Sequence, residues 1–169
     1  MSAFFARRAI DLLKSSDPQQ RSVQIDEIVK DLGNRRPSEA EFDEAFEALT
    51  FTEIQTSDKR VIQYILRRHY QFFSGNDAVD FDKMTIEHLL PQSSTTPSAG
   101  QLGNLIYISK ELNASLEDKS FAQKVAVLKA VTTEWIPPEI LEATEWGPVQ
   151  IQHRTTQLAT AARTRIWKL

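Results

Sequence analysis

The spacing of apolar residues in this chain changes near residue 81, and that change limits the folds open to it. Before it, the intervals are helical. Residues 3 to 14 and Val23 to Leu32 read as amphipathic helices, the second stopping at Gly33-Asn34. Pro37-Ser38 opens a third, with Phe42, Phe46 and Leu49 on one face and acids in the first turn, where the helix dipole favours them. Ser57-Asp58 suits the cap of a fourth, whose broad stripe of Val61, Ile62, Ile65, Leu66, His69 and Phe73 runs out near Gly75-Asn76. After the change, two short β-compatible runs follow. Lys83 to Leu89 stops at Pro91, Leu102 to Ile108 carries Leu105, Ile106, Tyr107 and Ile108, and the polar QSSTTPSAGQ between them reads as an exposed loop. Ser109 then caps a helical pattern through Leu112, Phe121, Val125 and Leu128. Beyond the breaks at Pro137-Pro138 and Gly147-Pro148, a last helix spans about Val149 to Trp167. The expectation is an α+β, mostly helical fold with one strand–loop–strand–helix unit. It divides into a helical region at 1–80, a centre at 81–130 and a C-terminal helical region with a basic face at 131–169.

At 169 residues the chain has the size of one domain, and 41% hydrophobic with 25% charged residues is an ordinary globular balance. No apolar run approaches a membrane span and the N-terminus lacks the layout of a secretory signal, so a soluble, cytoplasmic protein is expected. Cysteine is absent, which excludes disulfides, thiolate metal sites and cysteine nucleophiles. Any metal is then held by oxygen or imidazole, which points to Mg²⁺ or Mn²⁺ before zinc. The net charge of −3 hides an asymmetry: residues 1 to 60 carry twelve acids against nine bases, whereas Arg154, Arg163, Arg165 and Lys168 follow Pro148 with no acid among them.

The residues most suggestive of chemistry lie in IEHLLPQ and LGNLIYISKELN. On a regular strand Glu87 and His88 point to opposite faces, and Pro91 is a reason for the strand end to be irregular. Asn104 lies sixteen residues beyond His88, and Asn113 nine beyond Asn104. If the strands pair and the helix folds back across them, Glu87, His88 and Asn113 converge. This set resembles the HNH, or His-Me finger, nuclease motif in an H-N-N form read as His88, Asn104 and Asn113, with Glu87 where Asp is more usual. A longer stretch resembles the C-terminal nuclease domain of GmrSD-type modification-dependent restriction enzymes over roughly residues 40 to 169. It comprises VIQYILRRHY, LGNLIYISKELNASLEDKSFAQK, and the recurrence of Trp146, Ile151, Arg154, Leu158, Ala162, Ile166 and Trp167. Asp118 stands where the family pattern has Asn, which leaves its role open.

The resemblance implies a ββα-metal centre and metal-dependent cleavage of DNA. His88 would take a proton from the attacking water, an exchange suited to an imidazole. Glu87 and Asn113 would hold one divalent cation, Mg²⁺ or Mn²⁺, and Asn104 would hold the loop and orient His88. Lys119 and Lys124, at exposed helix positions, and Arg154 and Arg165 of the last helix are candidates for phosphate contact. The family pairs its nuclease with a ParB-like nucleotide-hydrolysing sensor; this chain has no GxxxxGK[ST] loop, so a split subunit or an excised fragment is expected. His69, on the apolar stripe of its helix, is assigned to packing, His153 sits in the first turns of the last helix, neither is assigned to catalysis, and the three tryptophans are assigned to core anchoring. The alternative is a non-catalytic helical module that docks onto a DNA-sensing NTPase partner.

Overall fold

The computed structural model describes residues 2–94 and 96–169, which fall into two units, one up to Ser38 and one from Glu39 to Leu169. Thr95, in the expected polar loop, lies outside the described residues.

In the first unit α1 (Ser2–Lys14) pairs with α2 (Pro18–Asn34). Asp17 accepts a hydrogen bond from the Gln19 amide at 3.0 Å, and Pro18 takes a first-turn position whose N–H has no helical partner anyway. Helix α2 buries no residue, so polar contacts tie the pair: Arg8 lies 2.5 Å from Asp31 and 3.7 Å from Glu27, and Arg35 sits over the Phe4 ring.

The second unit runs α3 (Glu39–Glu47), α4 (Lys59–Ser74), β1 (Met84–His88), β2 (Leu105–Ser109), α5 (Lys110–Leu116), α6 (Phe121–Lys129), α7 (Pro138–Glu142) and α8 (Pro148–Ala161). The strands form an antiparallel pair with Met84 opposite Ser109, Glu87 opposite Ile106 and His88 opposite Leu105. Ile86 and Leu105 enter a core with Ile62, Ile65 and Leu66 of α4 and Leu158 of α8. Ile106 and Ile108 enter a second core with Leu112 and Leu116 of α5, Leu128 of α6 and Ile140 of α7. Helices thus cover both faces, which is why Leu105 to Ile108 reads as an unbroken apolar run rather than an alternation.

Three boundaries differ from the sequence expectation. The second strand begins at Leu105, not Leu102, because Leu102–Asn104 form a 3₁₀ turn pressed against α8. A Cβ on Gly103 would lie 2.1 Å from the Ile151 carbonyl oxygen, so only glycine permits this approach. The single helix expected through Leu128 is two, broken at Glu117, whose φ is 43°, and restarted at Ser120, whose amide bonds the Gln123 side chain at 3.0 Å. The last helix ends in a π turn at Ala162–Ile166, with the Trp167 amide reaching Ala162 O at 2.9 Å. Among the described residues, no helix is long and apolar enough to cross a membrane.

Candidate active site

Strand β1 ends on Glu87 and His88, both buried. His88 Nε2 lies 2.9 Å from the carbonyl oxygen of Phe51, in the α3–α4 connection, and the imidazole stacks on the Phe51 ring at a centroid distance of 5.6 Å. A carbonyl only accepts, so Nε2 carries the proton and Nδ1 is left with the basic lone pair. Gln92 Nε2 approaches that nitrogen at 3.3 Å, while the Gln92 oxygen accepts from the Glu53 amide at 2.7 Å. Burial lowers the His88 pKa against a smaller upward pull from Phe51 O.

Glu87 belongs to the other face of the hairpin. Its Oε1 receives a hydrogen bond from Lys124 Nζ at 2.5 Å, and the same ammonium donates to His88 O at 2.7 Å. Lys124 is only 2% exposed. Burial pushes the Glu87 carboxyl up, the Lys124 ammonium and the His88 amide pull it back, and Asp118 adds a further push upward.

Asn104 is fully buried and closes the loop between the strands. Its Nδ2 donates to Leu90 O at 2.9 Å and Ala99 O at 2.7 Å, while its Oδ1 accepts from Leu90 N at 2.7 Å and Trp146 Nε1 at 3.1 Å. Every donor and acceptor of the amide is engaged, and none of these bonds goes to His88. The loop-holding role is therefore direct, whereas orientation of the imidazole comes from Phe51 and Gln92, which sequence reasoning missed.

Asn113 lies in α5, which packs on both strands. Its Oδ1 is buried without a hydrogen-bond partner, an uncommon state for a strong acceptor and one that suits an oxygen ligand of a hard cation. Glu87 contributes a carboxylate of which one oxygen is already held. No group of three or more His, Cys, Asp or Glu side chains placed to hold a metal ion is present among the described residues. A carboxylate and an amide oxygen are the donor types that a cation keeping most of its water, such as Mg²⁺, accepts.

The expected phosphate contacts separate into two pairs. Lys119 and Arg165 are accessible: Lys119 Nζ bonds Ser115 O at 2.7 Å, and the exposed Arg165 lies over the rings of Phe72 and Phe73. Lys124 and Arg154 correct the expectation, because both are buried and engaged inside the protein. Arg154 Nη1 bonds Gly103 O and Leu105 O, each at 2.8 Å, and Nε bonds Glu139 at 3.1 Å. Helical spacing carried the missed signal: Lys124 falls on the stripe of Phe121, Val125 and Leu128, and Arg154 on that of Ile151, Thr155 and Leu158.

Residues 37–161 match the family model described as GmrSD restriction endonucleases, C-terminal domain. No curated protein matches the chain.

Proposed function

The chain belongs to the family of GmrSD restriction endonuclease C-terminal domains, and on that premise we propose that it is a metal-dependent DNA endonuclease of the HNH type. The observation that carries this reading is His88 at the end of β1, held through Nε2 by a backbone carbonyl so that Nδ1 keeps its lone pair. His88 Nδ1 takes the proton of a water as its oxygen attacks the phosphorus, and the bond to the 3′-oxygen breaks. Gln92, on that nitrogen now, gives way to the water or steers it. Asn104 keeps the loop after β1 closed by three hydrogen bonds and is itself held by a fourth from Trp146, so that His88 is presented from a rigid strand end. Glu87 and Asn113 would hold a divalent cation, Mg²⁺ or Mn²⁺, which when bound stabilises charge on the phosphate and the leaving oxygen. Lys119 and Arg165 are the accessible cations available to the DNA backbone. A ParB-like nucleotide-hydrolysing sensor would direct the cut as a separate chain or domain.

Cleavage of supercoiled plasmid, with Mg²⁺, with Mn²⁺ and with chelator, tests the reading. The parent should nick or linearise the plasmid only with metal, and His88→Ala should lose about 10²-fold or more of the rate while keeping its melting temperature. Equal cutting by a folded His88→Ala protein removes His88 as the base. No cutting under any condition, with or without a sensor partner, leaves the docking module as the better account.

A further inference from the structure

The two side chains that the nuclease reading assigns to the metal differ in what they hold. Glu87 Oε1 is taken by Lys124, whereas Asn113 Oδ1 has no partner at all. A buried ammonium on a carboxylate supplies the positive charge that a divalent cation would otherwise bring to the same oxygens. Lys124 also donates to His88 O, so one side chain fixes both the carboxylate and the backbone beside the imidazole. Its stem belongs to the apolar stripe of α6, which leaves the ammonium little freedom to retreat.

From this geometry we infer that Lys124 is the positioning residue of the Glu87–His88 strand end and that it shares Glu87 with the divalent cation, holding metal affinity down. The inference rests on the nuclease reading and deepens it. In the lysine-held state the carboxylate is ordered and neutralised, and Asn113 Oδ1 stands idle. When the cation binds, it engages Asn113 Oδ1 and the Glu87 carboxylate, and the ammonium is repelled from Oε1 because two positive charges on one buried carboxylate raise the energy of both. A lysine that served only as a strut would behave differently. Its removal would loosen the strand end and leave metal binding unchanged or weaker.

The test uses the full chain and two readouts that do not depend on cleavage. Mn²⁺ affinity is measured by calorimetry near pH 8 for the parent and for Lys124→Met, which keeps the length of the stem. Removing a unit positive charge next to the cation should tighten Mn²⁺ binding about ten-fold or more. Unchanged or weaker binding by folded Lys124→Met overturns the inference. Since that variant removes a buried ion pair, the parent supplies the second readout. On titration with Mg²⁺ the side-chain ammonium resonance of Lys124 and the side-chain amide resonance of Asn113 should shift together, with one midpoint. A Lys124 signal that stays in place while Asn113 saturates overturns the shared ligand. Plasmid cleavage is scored separately: coupled shifts without cutting would fail the nuclease reading alone, and cutting without coupled shifts would fail this inference alone.

Discussion

Helices α6 and α8 each carry a cation on the face they bury, and the two cations do different work on the same hairpin. Lys124 holds the end of β1 by a carboxylate and one carbonyl, whereas Arg154 holds the start of β2 by the carbonyls of Gly103 and Leu105. The ammonium is a point charge that needs a counter-charge beside it, and Glu87 is almost as buried as its partner. The guanidinium is a planar fork that spans two carbonyl oxygens and meets the half-exposed Glu139 with a further nitrogen. Lys124 is thus tied to the candidate chemistry through a titratable acid, and Arg154 to the architecture through backbone.

The largest effect expected on this contrast is at the α8 clamp. Gly103→Ala places a methyl against the Ile151 carbonyl and should destabilise the domain by about 4 kcal/mol or more, read by chemical denaturation. A near-parent midpoint would mean that α8 does not seat on this turn. Arg154→Met strands two buried carbonyls and should cost about 3–5 kcal/mol.

A third effect links Arg154 to His69, which is 3% exposed with neither ring nitrogen hydrogen-bonded. Burial first, and the Arg154 charge second, lower its pKa from 6.5 to about 4. The unfolded chain therefore binds a proton that the folded chain refuses. Stability is complete above pH 6.5 and declines as pH falls towards 4, by about 3 kcal/mol in all. His69→Phe should flatten that part of the stability–pH curve; an unaltered slope would assign it to another group.

Smaller effects are expected on the α6 side. Lys124→Met leaves Glu87 without its buried counter-charge and should cost about 2–3 kcal/mol, of which adding Glu87→Gln should restore about 1 kcal/mol. The smallest change expected is Glu139→Gln, about 0–1 kcal/mol, because its ion pair with Arg154 is half in solvent. Should Glu139→Gln prove as damaging as Arg154→Met, the counter-charge and not the carbonyls would be what Arg154 serves.

Much of this was legible in the sequence, for reasons particular residues make plain. The hairpin shows in Ile86 and in the unbroken Leu105–Ile108 run, and the Ser109 cap is realised, its hydroxyl accepting from the Leu112 amide at 3.1 Å. The positions of Lys124, Arg154 and His69 on apolar stripes were also visible; their residue type argued for exposure in the first two, and spacing overruled it. The partners were not visible. Phe51, which holds His88 by a carbonyl, lies 37 residues earlier in the chain, and a backbone oxygen leaves no mark in a sequence. Asn113 was legible as a candidate ligand only through the motif it completes, and it took the assembled fold to leave its oxygen buried and unpaired.

The sequence by itself determined the mostly helical pattern with one strand–loop–strand unit, the adjacency of Glu87 and His88, and the absence of cysteine. These follow from bond geometry within a few residues, where a period of 3.6 or 2 decides which way each side chain points. Only the tertiary structure decided that Lys124 and Arg154 face inward onto the hairpin, that Asn104 ties the loop and Trp146 with its whole amide, and that the His88 ring is held through Nε2 by the Phe51 carbonyl. A polar atom removed from water bonds to whatever the fold brings within about 3 Å, and here those partners come from segments tens of residues away.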